Sequence, residues 1–405
     1  MPATVTGYHP AYIHRLLTTG HRLQSHGPRE EVWQSEDIER SEARFARYGI
    51  LNERGDEMEP SNPFSGGAKV LPAARRKKMD LASGALVKTY YLPDRPSLPL
   101  VVEPAVENLR LTDWCAVNRA YLERQVLHHG SILFRGFQID DASEFEKVIE
   151  SVSGDALEYR ERSSPRSRVS GNIYTSTDYP AGQRIFPHNE HSYSTTFPLR
   201  IFFCCLIPAN GGGETPISDC RKVLNRIPTS IRQRFEKKNW LYVRNFWDGF
   251  GLPWQKVFQT TDRAQVEKYC HENDIQCEWG DGDRLRTRQT RPAVVQHPRT
   301  GEDVWFNHAT FFHVSTLELE VREPLLNGFK EEDLPNNTYY GDGTPIEQPV
   351  LDELRAAYLE EEVVFTWQQG DLLMADNMLT AHARMPYEGQ RQVLVGMAEP
   401  FTRKG

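Results

Sequence analysis

The segment IFPHNEHSYSTTFPLR, residues 185–200, sets His188 and Glu190 two positions apart. In an extended chain residues i and i+2 point to the same face, so one imidazole and one carboxylate are predicted to converge from a single strand. A second polar island lies far downstream in GDLLMADNMLTAHARMPYEGQRQVLVGM, residues 370–397. There an apolar strand, a turn at Asp376 and Asn377, and a return strand flank His382. Two imidazoles and one carboxylate on one face of an octahedron leave three positions open. That is the facial triad of non-haem Fe(II) oxygenases. An HxE pair occurs by chance in many chains, and its weight here comes from order. His382 follows a strand and a turn, Arg391 follows on the next strand, and Thr215 sits in GGGETP after His188.

Such a site needs a rigid frame, and the pattern from about residue 80 onward supplies one. The runs LPLVVEP (98–104) and SILFRGF (131–137) bracket the helical pattern TDWCAVNRAYLERQVLHH, which Gly130 closes as a C-terminal cap. A second helix, ASEFEKVIESVSG, follows. Strands are predicted at 200–209, 214–220, 292–298, 303–308, 362–367, 371–376 and 391–401. Many short strands separated by turn signals suggest a sandwich or barrel. The stretch from about 225 to 290 reads as a helical, loop-rich insertion.

Residues 1–73 differ from the rest. They lack strand-like runs, and NERGDEMEPSNPFSGGAK interrupts two modest helical patterns, the better running from Ser35 to Gly49. This segment is read as an appended arm, and the core domain as 74–405. Covering the pocket, self-association into a homo-oligomer and docking a partner are roles open to the arm.

Composition excludes several classes. Of 405 residues, 39% are hydrophobic and 26% charged, with 48 basic against 56 acidic side chains and a net charge of -8. A phosphate-binding surface shows as a basic excess, so nucleic acid is not an expected partner. No apolar run reaches the roughly 20 residues of a spanning helix. The N-terminus has neither the basic start nor the apolar core of a secretory signal. A cytoplasmic protein without membrane attachment is expected. The six cysteines show no CxxC pair and are read as reduced, mostly buried thiols.

With these stations in place, the chain resembles the Fe(II)/2-oxoglutarate-dependent dioxygenases of the taurine dioxygenase and clavaminate synthase-like (TauD/TfdA) group, and within it SyrP-like hydroxylases. The resemblance is carried in order by HGSILFRGF, SPRSRVSGNIYTSTDYP, FPHNEHSYS, GGETPISDCRKV, VWFNHATFFHVS, GDLLMADN and HARMPYEGQRQVLVGM. It covers roughly residues 74–405. It implies a mainly β fold with flanking helices around a double-stranded β-helix, the jelly-roll core shared with cupins. It implies Fe(II), 2-oxoglutarate and dioxygen as the reacting set, with His188, Glu190 and His382 as metal ligands. Thr215 and Arg391 match the hydroxyl and guanidinium that hold the distal carboxylate of 2-oxoglutarate. Arginine suits that role because its planar fork makes two charge-assisted bonds to a carboxylate. Arg384 is the nearest competitor, and Asn307 is expected near the co-substrate.

The polar loop before the first ligand strand offers Arg166, Asn172 and Tyr174 as substrate contacts, with simple solvation as the alternative. His191 is read as supporting the ligands or gating substrate, since residue i+3 of a strand faces away from His188. His308 and His313 are read as pocket support or core. The resemblance further implies hydroxylation of an unactivated C–H bond in an amino acid or amino-acid-derived metabolite, free or tethered to a carrier protein. Desaturation, cyclisation or epoxidation by the same oxidant is the alternative, and a jelly-roll binding protein without turnover is the alternative from another class. Halogenases of this fold replace the carboxylate ligand by Gly or Ala, whereas Glu190 retains it.

Overall fold

The computed structural model describes residues 86–157, 167–246 and 252–403, except 94, 177 and 178. The arm, its proposed helix and Arg166 lie outside these residues. The molecule is mainly β with flanking helices, and its core is a jelly roll of two sheets.

The larger sheet has eight strands, in the order Val87–Leu92, Arg95–Pro104, Ser131–Phe134, Leu372–Asp376, Thr196–Ile207, Gln392–Thr402, Ile173–Thr175 and Arg168–Ser170. The smaller is ordered Glu362–Val363, Ile217–Asp219, Thr380–Arg384 and Ile185–His188. The run IFFCCLI explains why two layers form. Its odd positions, Ile201, Phe203 and Cys205, pack with Leu373, Val393 and Val395 of the larger sheet and with Ile217 and Val363 of the smaller. Its even positions, Phe202 and Cys204, face the other way, onto Trp114, Leu122, Val126, Phe145 and Ile149 of the helices. A strand covered on both faces reads as a continuous apolar run rather than an alternation. Fully burying each large side chain contributes about 1.5–3 kcal/mol.

The helices follow local chemistry. The single helix predicted before Gly130 is two, Leu111–Val117 and Arg119–His129. They break at Asn118, whose Nδ2 donates to the Trp114 carbonyl at 2.8 Å and so replaces a helical bond. Gly130, at φ 79°, then closes the second helix with its N–H on the Val126 carbonyl. The helix Ala142–Ser153 is capped by Asp141, which accepts from the Glu144 N–H at 2.8 Å.

The stretch around 225–290 corrects the expectation of a helical insertion. It does hold the helices Thr229–Lys238, Trp254–Phe258 and Arg263–Glu272. It also supplies Trp240–Phe246, Gln276–Trp279 and Leu285–Arg291, three strands of a separate four-stranded sheet completed by Asn336–Tyr340. LRTRQTR shows no hydrophobic alternation because its inward positions include Thr287, Gln289 and Arg291. Arg291 is satisfied there by main-chain carbonyls, donating to Tyr193 at 3.0 Å and Asn273 at 2.6 Å. All six cysteines are free thiols, and five are buried. No helix among the described residues is long and apolar enough to cross a membrane.

Candidate active site

His188 ends the strand Ile185–His188, and His382 lies mid-strand in Thr380–Arg384, directly opposite it in the antiparallel register. Their ring centroids are 4.3 Å apart. His188 Nδ1 lies 2.9 Å from the Phe186 carbonyl, a contact that keeps the proton on Nδ1 and leaves Nε2 as the electron-pair donor. Glu190 arrives differently from the strand alternation predicted for it. The strand stops at His188, and Glu190 opens a turn. What aims the carboxylate is Asn377 in the hairpin between the strands Leu372–Asp376 and Thr380–Arg384. The Glu190 N–H donates to Asn377 Oδ1 at 2.7 Å, and Asn377 Nδ2 donates to the Glu190 carbonyl at 2.8 Å and the Pro198 carbonyl at 2.9 Å. Asn189 Nδ2 donates to the Asn377 carbonyl at 2.7 Å. As a result, one ligand atom from each of His188, Glu190 and His382 falls within a 4.8 Å span, with His382 Nε2 3.8 Å from Glu190 Oε2. This buried set of two nitrogens and an oxygen fits a divalent ion, which binds such ligands at about 2.0–2.2 Å.

The hairpin that carries Asn377 is itself anchored. Asp376 accepts from the Met378 and Leu379 N–H groups at 2.9 and 3.1 Å, from His297 Nε2 at 3.1 Å, and from the Arg200 guanidinium. Burial alone would raise its pKa. The His297 hydrogen bond and the Arg200 charge win, and hold it at about 2. Arg200 also donates to Glu123 at 2.6 Å.

Beside the two histidines lies a cavity whose lining includes Ser176, Phe203, Thr215, Arg384 and Arg391. Arg391 donates from Nε to the Gly213 carbonyl at 2.8 Å, from Nη1 to Ser176 Oγ at 3.2 Å and from Nη2 to Thr215 Oγ1 at 3.5 Å. The Trp367 indole N–H donates to the same Thr215 oxygen at 3.0 Å. Burial, and then the charge of Arg384, push the Arg391 guanidinium down to about 10. A buried cation so placed is a receptor for an anion, and its fork matches a carboxylate. Arg384 also lines the cavity, yet its terminal nitrogens donate to the carbonyls of Tyr179, Pro180 and Gln183 at 3.0, 2.6 and 2.9 Å. It pins the 179–183 loop.

Other expected residues lie elsewhere. Asn307 does not line this cavity; its amide donates to the Ala293 carbonyl and accepts from the Ala309 N–H, both at 3.0 Å, which folds its own loop. Asn172 is likewise spent on structure, donating to the Ala156 carbonyl at 2.7 Å and accepting from Arg168 at 2.9 Å. Tyr174 is buried in the apolar layer with Phe203 and Val393 and is not among the lining residues. His191 lies in the turn that follows the strand and does not line the cavity that His188 faces. Its φ is 57°, and its Nε2 is 3.6 Å from Glu190 Oε1. His308 stacks on Phe312 at 4.5 Å and sits 5.8 Å from His188, a buried imidazole held neutral by desolvation and the neighbouring His188. His313 accepts the Ser315 N–H at 3.1 Å. Sequence reasoning marked Asp376 and Asn377 only as a turn, and it missed Ser176, Trp367, Arg200 and His297. A polar pair inside an apolar hairpin was the available signal for the first two.

Residues 94–398 match the family described as taurine catabolism dioxygenase TauD, TfdA family, and the chain belongs to it. It is an Fe(II)- and 2-oxoglutarate-dependent dioxygenase, which uses dioxygen as oxidant. It is 42% identical over 271 residues to the dapdiamide synthesis protein DdaC of Enterobacter agglomerans, covering 67% of this chain and 82% of that one. It is 28% identical over 317 residues to a clavaminate synthase-like protein of Arabidopsis thaliana, covering 76% and 92% respectively. Among solved structures it is similar to PvcB from Pseudomonas aeruginosa, with a TM-score of 0.49 and 16% identity over 78% of this chain and 92% of that chain.

Proposed function

We propose that His188, Glu190 and His382 hold the iron, that Arg391 and Thr215 hold the distal carboxylate of 2-oxoglutarate, and that the enzyme hydroxylates a C–H bond of a small amino-acid-derived molecule. One observation carries this reading: His188, His382, Thr215 and Arg391 all face a single cavity. When bound, iron with 2-oxoglutarate and dioxygen would supply the oxidant, 2-oxoglutarate being consumed to succinate and carbon dioxide with one oxygen atom going to the substrate. The chain's own contribution is placement. Asn377 fixes the Glu190 backbone, Phe186 sets the His188 tautomer, and the Thr215 hydroxyl, oriented by Trp367, joins Arg391 at the carboxylate end. Phe203 and Val393 give that cavity an apolar wall that limits water.

The 42% identity to a dapdiamide synthesis protein supports a role in making a small metabolite, whether free or carrier-bound. The carboxylate of Glu190 supports hydroxylation over halogenation, since it fills the place a halide would take and repels one. The test is product mass after reaction with candidate amino-acid-derived substrates, with and without added chloride or bromide. A gain of one oxygen, indifferent to halide, is expected. Loss of two hydrogens would shift the outcome to desaturation or cyclisation, and a halogenated product would remove Glu190 from the ligand set.

A further inference from the structure

The fork of Arg391 is bracketed by two hydroxyls. Nη2 donates to Thr215 Oγ1 at 3.5 Å, and on the other arm Nη1 donates to Ser176 Oγ at 3.2 Å. Thr215 already has a part in the co-substrate site, and Ser176 has none. Arg391, Thr215 and Ser176 all line the cavity that His188 and His382 face, so each is open to a molecule held there. The other residues lining it offer little to the far end of an acid. Ile185, Phe203, Ala383 and Val393 are apolar, and Arg384 spends its terminal nitrogens on main-chain carbonyls.

The three polar groups reach this end from separate parts of the chain, and each is fixed there. Ser176 follows the strand Ile173–Thr175, and its N–H donates to the Val393 carbonyl at 2.9 Å, which sets it against the strand Gln392–Thr402 beside Arg391. Thr215 takes the Trp367 indole N–H at 3.0 Å. Arg391 is tied through Nε to the Gly213 carbonyl at 2.8 Å, and Gly213, at φ 74°, leaves room for its stem, since an added Cβ would meet Arg391 Cδ at 3.0 Å.

A hydroxyl that accepts from a guanidinium still has its own proton to give. A carboxylate offers about four acceptor positions, of which the two terminal N–H groups of a fork fill two. Two hydroxyls beside the fork can fill the others. Each such bond is charge-assisted and stronger than one between neutral groups.

We propose that Ser176 is a third binding group for the distal carboxylate of 2-oxoglutarate, its hydroxyl accepting from Arg391 and donating to the carboxylate as the counterpart of Thr215. The assignment rests on the reading that Arg391 and Thr215 hold that carboxylate, and the test separates the two.

The full chain, loaded with Fe(II) without oxygen, is titrated with 2-oxoglutarate and read by its visible charge-transfer absorption, with Co(II) affinity as a check on the metal centre and the fold. Ser176→Ala should weaken 2-oxoglutarate binding about ten-fold, the scale of one hydrogen bond to a charged group, with Co(II) affinity kept. Ser176→Thr retains the hydroxyl and should recover most of that loss. In the Arg391→Ala background Ser176→Ala should still weaken binding about three-fold or more, because a direct bond to the carboxylate does not depend on the arginine. The proposal is overturned if Ser176→Ala binds 2-oxoglutarate within about two-fold of the wild type while Arg391→Ala is weakened. It is equally overturned if the effect of Ser176→Ala vanishes in the Arg391→Ala background, where the serine would be acting only through the arginine. Wild-type affinity in Arg391→Ala would instead overturn the underlying reading of the pocket, and this assignment with it.

Discussion

Asn377 and Glu190 hold one another by two reciprocal hydrogen bonds, the Glu190 N–H on Asn377 Oδ1 at 2.7 Å and Asn377 Nδ2 on the Glu190 carbonyl at 2.8 Å. One side chain thereby replaces the strand partner that Glu190 lacks. The hairpin bearing Asn377 leads directly into His382, so one turn positions two of the three ligands. Removing the amide leaves buried backbone groups unpaired, at about 1–3 kcal/mol each. Asn377→Ala should lower stability by a few kcal/mol and weaken metal binding about 10–100-fold, as loss of a ligand-orienting contact does. Denaturant unfolding paired with Co(II) titration reads both. Loss of stability with unchanged metal affinity would mean that Asn377 serves only the fold.

Arg391 and Arg384 make separable predictions, although both line the same cavity. Truncating one side of a buried charge pair costs about 2–5 kcal/mol. Arg391→Ala should raise the 2-oxoglutarate requirement by 30-fold or more with metal affinity little changed. Arg384→Ala should loosen the 179–183 loop, whose carbonyls it holds, and disturb co-substrate affinity far less. Anaerobic 2-oxoglutarate titrations of the two variants decide the matter. The reverse ranking would transfer the anchor to Arg384.

How legible this site was in the sequence depended on whether a residue's role was set by spacing or by a distant partner. His188 and Glu190 stood out by their i, i+2 spacing and His382 as a polar group between an apolar strand and its return, whereas the roles of Thr215 and Arg391 came from the resemblance to the family, matched by position. The reason Glu190 turns inward was not legible, because it rests on Asn377, far along the chain and joined to it only by the fold. Arg200 looked like the end of a strand, and its ion pair with Asp376 forms only when the strands Thr196–Ile207 and Leu372–Asp376 align. Asn307 and Asn172 were read as pocket residues, and the hydrogen bonds they make, to Ala293 and Ala309 and to Ala156 and Arg168, are ones the sequence did not signal, because an asparagine serves nearby backbone as readily as a ligand. The separate sheet built partly from LRTRQTR escaped periodicity since its inward side chains are polar.

His313 gives stability a pH dependence of known sign. Burial first, and then the charges of Arg355 and Arg322, hold its imidazole down at about 4. The unfolded chain takes up this proton near pH 6.5, the folded protein only near 4. Between those values the unfolded state binds more protons, so this contribution is complete above about pH 6.5 and is lost as pH falls toward 4. The effect is on the order of 3 kcal/mol. His313→Asn keeps an oxygen to accept the Ser315 N–H and removes the titration. Its Tm should fall less between pH 7.5 and 4.5 than that of the wild type. Parallel curves would show that protonation of His313 is tolerated in the folded state.

The proposed chemistry requires that His188, Glu190 and His382 hold the iron that 2-oxoglutarate joins. The most direct measurement is the visible charge-transfer absorption that develops when Fe(II) and 2-oxoglutarate are added together without oxygen. The wild type should show a weak band at one iron per chain, and Co(II), Ni(II) or Zn(II) should abolish it by competition for the same nitrogen and oxygen donors. His382→Ala should lose both the band and succinate formation. A band and full turnover persisting in His382→Ala would contradict the assignment of the triad.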